Sequence, residues 1–341
     1  MNRFSYHRAE TLADAISHLR GNPAAAIIAG GTNLVDLMKY EAERPGELVD
    51  VTRLDELRDI SETPDGGLRI GALVPNSDVA YDERINARYP LLARAVLAGA
   101  TPQLRNAATT GGNLNQRTRC YYFNDVATPC NKREPGSGCS AIGGINRIHA
   151  ILGASDYCIA THPSDMCVAL AALDAEVEVV GPDGERRIAF ADYHRLPRDE
   201  PQRDNTLRPG EIVVAVTLPR EASAFAGNYT YLKLRDRLSY AFALVSVAAA
   251  LKVDGRRIAA ARLALGGVAH KPWRKLEAEE VLVGMSTDDA PFSRAADILL
   301  AGAQPHEHNA FKIDLARRAI VRALSQAAAG TPQSLTDKRI A

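Results

Sequence analysis

No run of this 341-residue sequence approaches eighteen consecutive apolar residues, and residues 1–20 hold no uninterrupted apolar core of the secretion-signal type. The expectation is a chain that neither spans a membrane nor carries its own export signal, and that folds in the cytoplasm. Net charge is missing as well. With 41 basic residues against 41 acidic ones, no overall field draws the protein to nucleic acid or to an anionic membrane, so partners must be recognised locally. The sequence has no CxxC pair, which argues against a zinc ribbon or finger and against the compact ferredoxin run. It has no GxGxxG, no P-loop lysine motif, no internal repeat and no low-complexity tract. What it does have, 46% hydrophobic and 24% charged residues, suffices to bury a sizeable core in two or three domains.

The apolar pattern predicts a strand at Phe4-Ser5-Tyr6 and a helix capped by Thr11, with Leu12, Ala15, Ile16 and Leu19 on one face. A buried strand over 25–29, a glycine turn, a short helix over 34–40 and a strand over 48–51 complete a βαβ-like unit ending near residue 58. A second region follows with strands at 68–74, 149–153, 176–180 and 211–218, helices at 90–98 and 164–173, and a hairpin turn at Pro182-Asp183-Gly184. Residues 219–227 read as a linker. Beyond it, strands at 229–234, 244–253 and 262–268 predict a small antiparallel sheet, covered by helices starting at Pro272, Pro291 and Asn309. The expected division is 1–58, 59–222, 223–330 and a tail at 331–341.

Two glycine turns stand out. Ala26-Ile27-Ile28-Ala29-Gly30-Gly31-Thr32-Asn33-Leu34 sets two glycines between a strand and a helix, where backbone N–H groups can face a phosphate with no Cβ in the way. A tight strand-to-helix turn alone would read the same. Thr109-Thr110-Gly111-Gly112-Asn113 repeats the chemistry, and two such turns could clamp a pyrophosphate from both sides. Over residues 101–149, six basic residues (Arg105, Arg117, Arg119, Lys132, Arg133, Arg147) face two acidic ones, a local excess that suits an anion and equally describes a solvated basic loop.

Directly after the second turn, Cys120, Cys130, Cys139 and Cys158 fall within 39 residues rich in Gly, Pro, Asn, Arg and Lys. An unpaired cysteine usually sits on a periodic core face, and these do not. In the cytoplasm such a set is more often a metal site than a disulfide framework. Spacing alone leaves cluster, disulfide and unrelated free thiols open, although long loops can bring four thiolates together. Cys167 lies on a helical apolar segment and reads as core. The eight histidines show no triad or metal-ligand spacing, and His162 and His270 read as structural.

Five motifs in order, Ala29-Gly30-Gly31-Thr32-Asn33-Leu34, Arg105-Asn106 with Thr109 to Asn113, Pro163-Ser164-Asp165-Met166, Pro209-Gly210-Glu211 and Lys233 in Tyr231-Leu232-Lys233-Leu234-Arg235, resemble the FAD-binding medium subunit of the xanthine dehydrogenase and molybdenum hydroxylase family over nearly the whole chain. The resemblance implies an α+β fold: the two-part FAD-binding architecture of the vanillyl-alcohol oxidase type, not a doubly wound Rossmann fold, plus a small α+β C-terminal domain of the CO dehydrogenase flavoprotein type. It also implies that Ala26 to Leu34 with Thr109, Gly112 and Asn113 cradle the pyrophosphate and ribityl chain, that Asp165 accepts from a flavin-chain hydroxyl, and that Lys233 lies beside the isoalloxazine. Tyr240 is a weaker candidate at the flavin edge.

Most members lack the cysteine loop at 117–158. It looks like that of bacterial periplasmic aldehyde oxidoreductases, and the resemblance implies one [4Fe–4S] cluster on Cys120, Cys130, Cys139 and Cys158. The implied setting is a heterotrimer: a large molybdopterin-binding subunit oxidises an aldehyde, a small subunit relays electrons through two [2Fe–2S] clusters, and this chain passes them through FAD to an external acceptor. No residue of this chain is expected to act as catalytic base or nucleophile, because the flavin is the reactive group. Periplasmic residence would require export with a signal-bearing partner. Two rivals remain: a flavin and [4Fe–4S] subunit of a 4-hydroxybenzoyl-CoA reductase-like enzyme, and a zinc-stabilised interaction module.

Overall fold

The computed structural model describes residues 1–238 and 240–331; Ser239 and all but the first residue of the expected tail lie outside them. The chain begins with β1 (Ser5–Arg8), α1 (Leu12–Gly21), β2 (Ala25–Ile28), α2 (Leu34–Lys39) and β3 (Glu47–Asp50). The three strands form a parallel sheet in the order β1-β3-β2, with Tyr6 and Ala26 both opposite Leu48. Thr11 caps α1 by accepting the Asp14 N–H at 3.1 Å, as its hydroxyl next to an apolar periodic run predicts. The expected buried strand over 25–29 is instead an edge strand, with Ile27 36% exposed, and β3 is the strand with neighbours on both sides. An apolar run does not by itself distinguish an edge from a centre.

The next region opens with β4 (Ile60–Glu62) and β5 (Leu68–Gly71) and continues through α3 (Asn76–Tyr81), α4 (Glu83–Arg88), α5 (Pro90–Ala98), α6 (Pro102–Ala107), α7 (Thr110–Leu114), α8 (Tyr121–Asn124) and α9 (Asp165–Ala172). It closes with β6 (Glu176–Gly181), β7 (Gly184–Ala189), α10 (Phe190–Tyr193) and β8 (Ile212–Leu218). The strands make one antiparallel sheet in the order β4-β5-β8-β6-β7. β8, with every residue buried, is its centre; β7 is an edge whose charged residues hid it from pattern reading. Helices α5 and α9 are buried along almost their whole length and pack together in the largest core. The sequence pattern missed α3, α4, α6 and α7, since five or six residues cannot display a helical period, but the caps of the last three, Asp82, Thr101 and Thr109, each accept a backbone N–H.

The strand expected over 149–153 does not form. Ile151 and Leu152 are buried in the C-terminal core, and both of their N–H groups bond the Val268 carbonyl, so this apolar run is a docking peg with no ladder. The expected linker at 219–227 contains a 3₁₀ turn over Arg220–Phe225 that buries Ala222 and Phe225. The C-terminal sheet consists of β9 (Tyr229–Leu234), β10 (Val245–Asp254) and β11 (Arg257–Gly266), antiparallel in the order β11-β10-β9. Helices α11 (Leu276–Glu280), α12 (Asp289–Leu300) and α13 (Phe311–Ala328) follow, and Phe292, Ile320 and Leu324 seal its buried face.

Candidate functional site

A cleft of about 680 Å³ opens where the three sheet regions meet, within the size range of small-molecule and cofactor sites. One wall is the end of the first glycine turn, Thr32 and Asn33. Gly31 has φ +69°, a conformation that costs an L-residue about 1–2 kcal/mol. A Cβ on Gly30 would lie 1.8 Å from the Ala107 carbonyl oxygen, so Gly30 is there to let the first turn close against the segment that enters the second. Thr32, Asn33 and Asp36 then line the cleft. Among the described residues, no acceptor faces the N–H groups of Gly31, Thr32 and Asn33.

The second turn differs. Thr109 to Asn113 is the start of helix α7, and its donors are already used: Thr110 N–H bonds the Val74 carbonyl, Gly111 N–H the Ala72 carbonyl, and Gly112 N–H the Thr109 hydroxyl. A symmetric clamp of two donor-rich turns is therefore not what forms. Gly112, Asn113 and Gln116 line the cleft with side chains and surface, while Gly111 is needed for contact with Ala72. Thr109 builds this wall as a cap. On the strand side, Ala26, Ile27 and Ile28 belong to β2, and they, Ala29, Gly30, Gly31 and Leu34 stand outside the lining.

Asp165, at the start of α9, and Lys233, on β9, come together in the cleft as a buried ion pair at 2.7 Å. Tyr231 donates to the other Asp165 oxygen at 2.8 Å, and Lys233 also donates to the Ala98 carbonyl at 3.0 Å. Ser164 caps α9 by accepting the Cys167 N–H and donates to Asn113 at 2.6 Å, tying the two helix starts together. Tyr240 lines the mouth, 57% exposed and with φ +51°, so it is not a buried tyrosine with a satisfied hydroxyl.

Of the six basic residues in 101–149, four are spent within the fold. Arg117 pairs with Glu43 and Asp204, Lys132 with Asp204, Arg147 with Asp236, and Arg133 donates to the Tyr122, Phe123 and Thr128 carbonyls. Arg105 and Arg119 line the cleft. Arg119 bonds only the Arg117 carbonyl and Gln116, stacks on Phe242 at 4.9 Å, and has no carboxylate partner among the described residues. Burial pushes its guanidinium down to about 10. A half-buried cation with no carboxylate partner, facing a cleft with open N–H donors, fits an anionic pyrophosphate. Sequence reading missed Arg119 because charge counting could not distinguish it from Arg117, Lys132 and Arg147, which have carboxylate partners.

The four loop cysteines line one smaller pocket, with Phe123, Tyr122 and Lys132 around them. Cys120, Cys130 and Cys158 are buried, Cys139 is half-buried, and all are free thiols. They have a packing role that pattern reading denied them, since with Phe123, Ala141 and Ile159 they form a small core against Leu37 and Ala42. The Cys-Asn-Lys-Arg run fastens this loop. Asn131 accepts from Gly136 and Gly138 N–H and donates to the Tyr157 carbonyl, and Lys132 reaches Asp204 and the Pro201 carbonyl. Cys130 and Cys139 face each other across an isolated antiparallel bridge. Burial pushes the Cys120 thiol up to about 12 and the Cys158 thiol up to about 11, the latter against the pull of Lys132, so a cation must displace their protons to bind. Cys167 is wholly buried in α9, apart from this pocket. The fold does gather histidines that sequence spacing left apart: His162, His194 and Cys167 offer ligand atoms within 4.8 Å of one another, as do His7, Asp14 and His18.

The two pockets share a wall. Arg119 and Tyr121 line the cleft, and Cys120 between them lines the cysteine pocket. Asn33 accepts the Arg117 N–H at 2.8 Å, fixing the start of the cysteine loop to the first glycine turn.

Residues 2–221 match the family model for the FAD binding domain in molybdopterin dehydrogenase, and residues 229–327 match the CO dehydrogenase flavoprotein C-terminal domain. The chain is 52% identical over 334 residues to the aldehyde oxidoreductase FAD-binding subunit PaoB of Escherichia coli K12, covering 96% of this chain and 99% of that one. It is 26% identical over 333 residues to the carbon monoxide dehydrogenase medium chain of Afipia carboxidovorans, covering 95% and 98%. Among solved structures, a chain of reconstituted CO dehydrogenase from Oligotropha carboxidovorans superposes with a TM-score of 0.76 at 25% identity, covering 97% and 99%. A chain of quinoline 2-oxidoreductase from Pseudomonas putida 86 gives 0.73 at 26%, covering 96% and 98%. With both halves of the chain matched in order and half of its positions shared with a full-length relative, it belongs to the xanthine dehydrogenase/molybdenum hydroxylase family as an FAD-binding medium subunit, one component of an oxidoreductase.

Proposed function

We propose that this chain is the electron-transfer FAD and iron–sulfur subunit of a molybdenum-dependent aldehyde oxidoreductase. Its partners are a large molybdopterin-binding subunit and a small [2Fe–2S] subunit, and it delivers electrons to an external acceptor. The aldehyde reaction is supported by the 52% identity to PaoB along almost the full length of both chains. Bound FAD supplies the exchange between paired and single electrons. In this reading Thr32, Asn33, Gly112, Asn113 and Arg119 hold its phosphate and ribityl portion, and Asp165 and Lys233 hold a fixed charge pair next to the ring system.

The second cofactor is one [4Fe–4S] cluster on Cys120, Cys130, Cys139 and Cys158. The donor set fits: four free thiols around one pocket, with no competing carboxylate in its lining. As they stand, the sulfurs are spaced more widely than a zinc site holds them. A tetrahedral zinc site with bonds of ~2.3 Å holds its sulfurs ~3.8 Å apart, whereas no three of these sulfurs lie within 4.8 Å of one another. The open space between them is about 10 Å³, so a cluster would part the loop as it enters. The observation that carries an electron-transfer role over a purely structural one is the shared wall, where consecutive residues Arg119, Cys120 and Tyr121 alternate between the two pockets.

The test is the iron, sulfide, zinc and flavin content of the anaerobically purified complex, followed by assays with aldehydes and with 4-hydroxybenzoyl-CoA. Four irons and one FAD per chain with aldehyde turnover support the proposal. Zinc without iron would leave only the stapled interaction module, and turnover of the thioester alone would reverse the electron flow toward molybdenum. Periplasmic residence would follow from export with a signal-bearing partner, and cell fractionation with and without that partner's signal checks it. No helix among the described residues is long and apolar enough to cross a membrane.

A further inference from the structure

His149 is 1% exposed and sits against the cysteine pocket, with its Nε2 3.1 Å from the Cys120 sulfur. Its other ring nitrogen, Nδ1, has no hydrogen-bond partner, which is uncommon for a buried imidazole and means that the sulfur is the ring's one polar contact. The main chain around it is fixed on several sides. Its N–H donates to the Asn146 carbonyl at 3.0 Å, and its carbonyl accepts from Lys312 at 2.7 Å and from Asn309 at 3.3 Å. Lys312 is fully buried on α13 and also donates to the Gly267 carbonyl at 2.6 Å, and Gly267 lines the cleft. One lysine side chain therefore fastens both the His149 segment and a wall of the cleft. Among the described residues no other side chain donates to a sulfur of the set; Cys158 accepts only a long backbone contact from Ala160, at 3.5 Å.

We infer that His149 is a positioning residue for the Cys120 sulfur and that its ring N–H, donated to that thiolate, raises the reduction potential of the cluster the thiolate ligates; the inference rests on the cluster assignment above. A metal-bound thiolate can only accept, so the ring proton must be on Nε2 and not on Nδ1. Reduction adds negative charge that is shared with the ligand sulfurs, and a donor aimed at one of them stabilises the reduced form more than the oxidised one. His149 and Cys120 are both buried, so the bond is stronger than it would be in water. Second-sphere donors of this kind also fix ligand orientation.

The experiment uses the intact complex with His149→Phe and His149→Gln, each analysed for iron and FAD and then titrated potentiometrically with EPR detection of the reduced cluster. His149→Phe, with iron and FAD retained, should shift the midpoint to more negative potential, and His149→Gln, which keeps a donor, should return part of the shift. A parallel measurement on unmutated complex with ¹⁵N-labelled histidine should show a weak histidine nitrogen coupling to the reduced cluster. That readout stands if the Phe variant fails to assemble. An unchanged midpoint in an iron-replete Phe variant, or no histidine coupling in the unmutated complex, overturns the inference while leaving the cluster in place. Absence of iron from the unmutated complex would instead overturn the cluster assignment beneath it.

Discussion

The cleft and the cysteine pocket are neighbours built on opposite principles. The cleft is assembled from residues 32 to 267, contributed by the C-terminal sheet, several helices and the loops between them, and its key contacts pair residues far apart in the chain, such as Asp165 with Lys233. The cysteine pocket is lined by residues 118 to 160 alone, and its small core is nearly self-contained. Its dependence on the rest of the protein is concentrated in a few buried charges, chiefly Lys132 and Arg117 on Asp204. A site made of distant pieces is broken by anything that separates those pieces, whereas an inserted loop is broken by losing its pins.

The largest effect should come from disrupting the join between the two glycine turns. Gly30→Val would drive side-chain carbon into the Ala107 carbonyl, a backbone atom that cannot move aside. It should cost about 4 kcal/mol or more and abolish FAD binding, measured by thermal melting and flavin content. Iron retained in any soluble fraction would sharpen the contrast; full FAD occupancy would refute the role given to Gly30.

Asp204→Asn should cost about 3 kcal/mol, because the Lys132 side chain is 1% exposed and would lose its counter-charge. The damage should fall on the cysteine loop, so the iron-to-FAD ratio should drop. Burial alone would raise the Asp204 pKa, but Lys132 and then Arg117 outweigh it and hold the carboxyl well below its ordinary 3.8. A depressed folded pKa gives stability that is full above the unfolded value and is lost as pH falls below it toward the folded one. Melting temperature should therefore decline as pH is lowered below about 4, and that component should be missing in Asp204→Asn. Equal acid sensitivity in both proteins would break the assignment.

A smaller pair separates the two turns. Gly31→Ala forces a side chain into φ +69°, at about 1–2 kcal/mol, and tilts the open N–H groups of the first turn. Gly112→Ala adds a carbon 3.0 Å from the Thr109 hydroxyl on a helix whose donors are already engaged, and should cost about 1 kcal/mol or less. FAD affinity should fall more in the first variant, and the reverse order would return the donor role to the second turn. The least destabilising comparison is between cysteines. Cys167→Ala removes one small buried group, should cost about 1 kcal/mol, and should leave iron unchanged. Cys139→Ser is half-buried and should barely move the melting temperature, yet it should lower iron or convert the cluster to a three-iron form.

Long periodic segments were legible from sequence. The helix over Pro90–Ala98 and the strand over Tyr229–Leu234 have the predicted bounds, and Thr11 and Ser164 are the caps their hydroxyls announce. The short helices around the cleft were not legible, because five residues carry no period. Nor was the fate of Ile151 and Leu152, whose apolarity serves a distant core.

The sequence by itself determined the ingredients: two glycine turns, a cysteine-rich insertion, a balanced charge and the order of motifs, all of which are local in the chain. Tertiary structure decided which of two similar turns keeps its N–H groups free, which two of six basic residues face the cleft without a carboxylate partner, and which histidine meets a sulfur. Those outcomes depend on hydrogen-bond and ion-pair partners 29 to 87 residues away, such as Ala72 and Val74 for the second turn, Asp204 for Lys132 and Arg117, and Cys120 for His149. A polar group's chemistry is set by whether its partner is already present, and only the fold brings partners together.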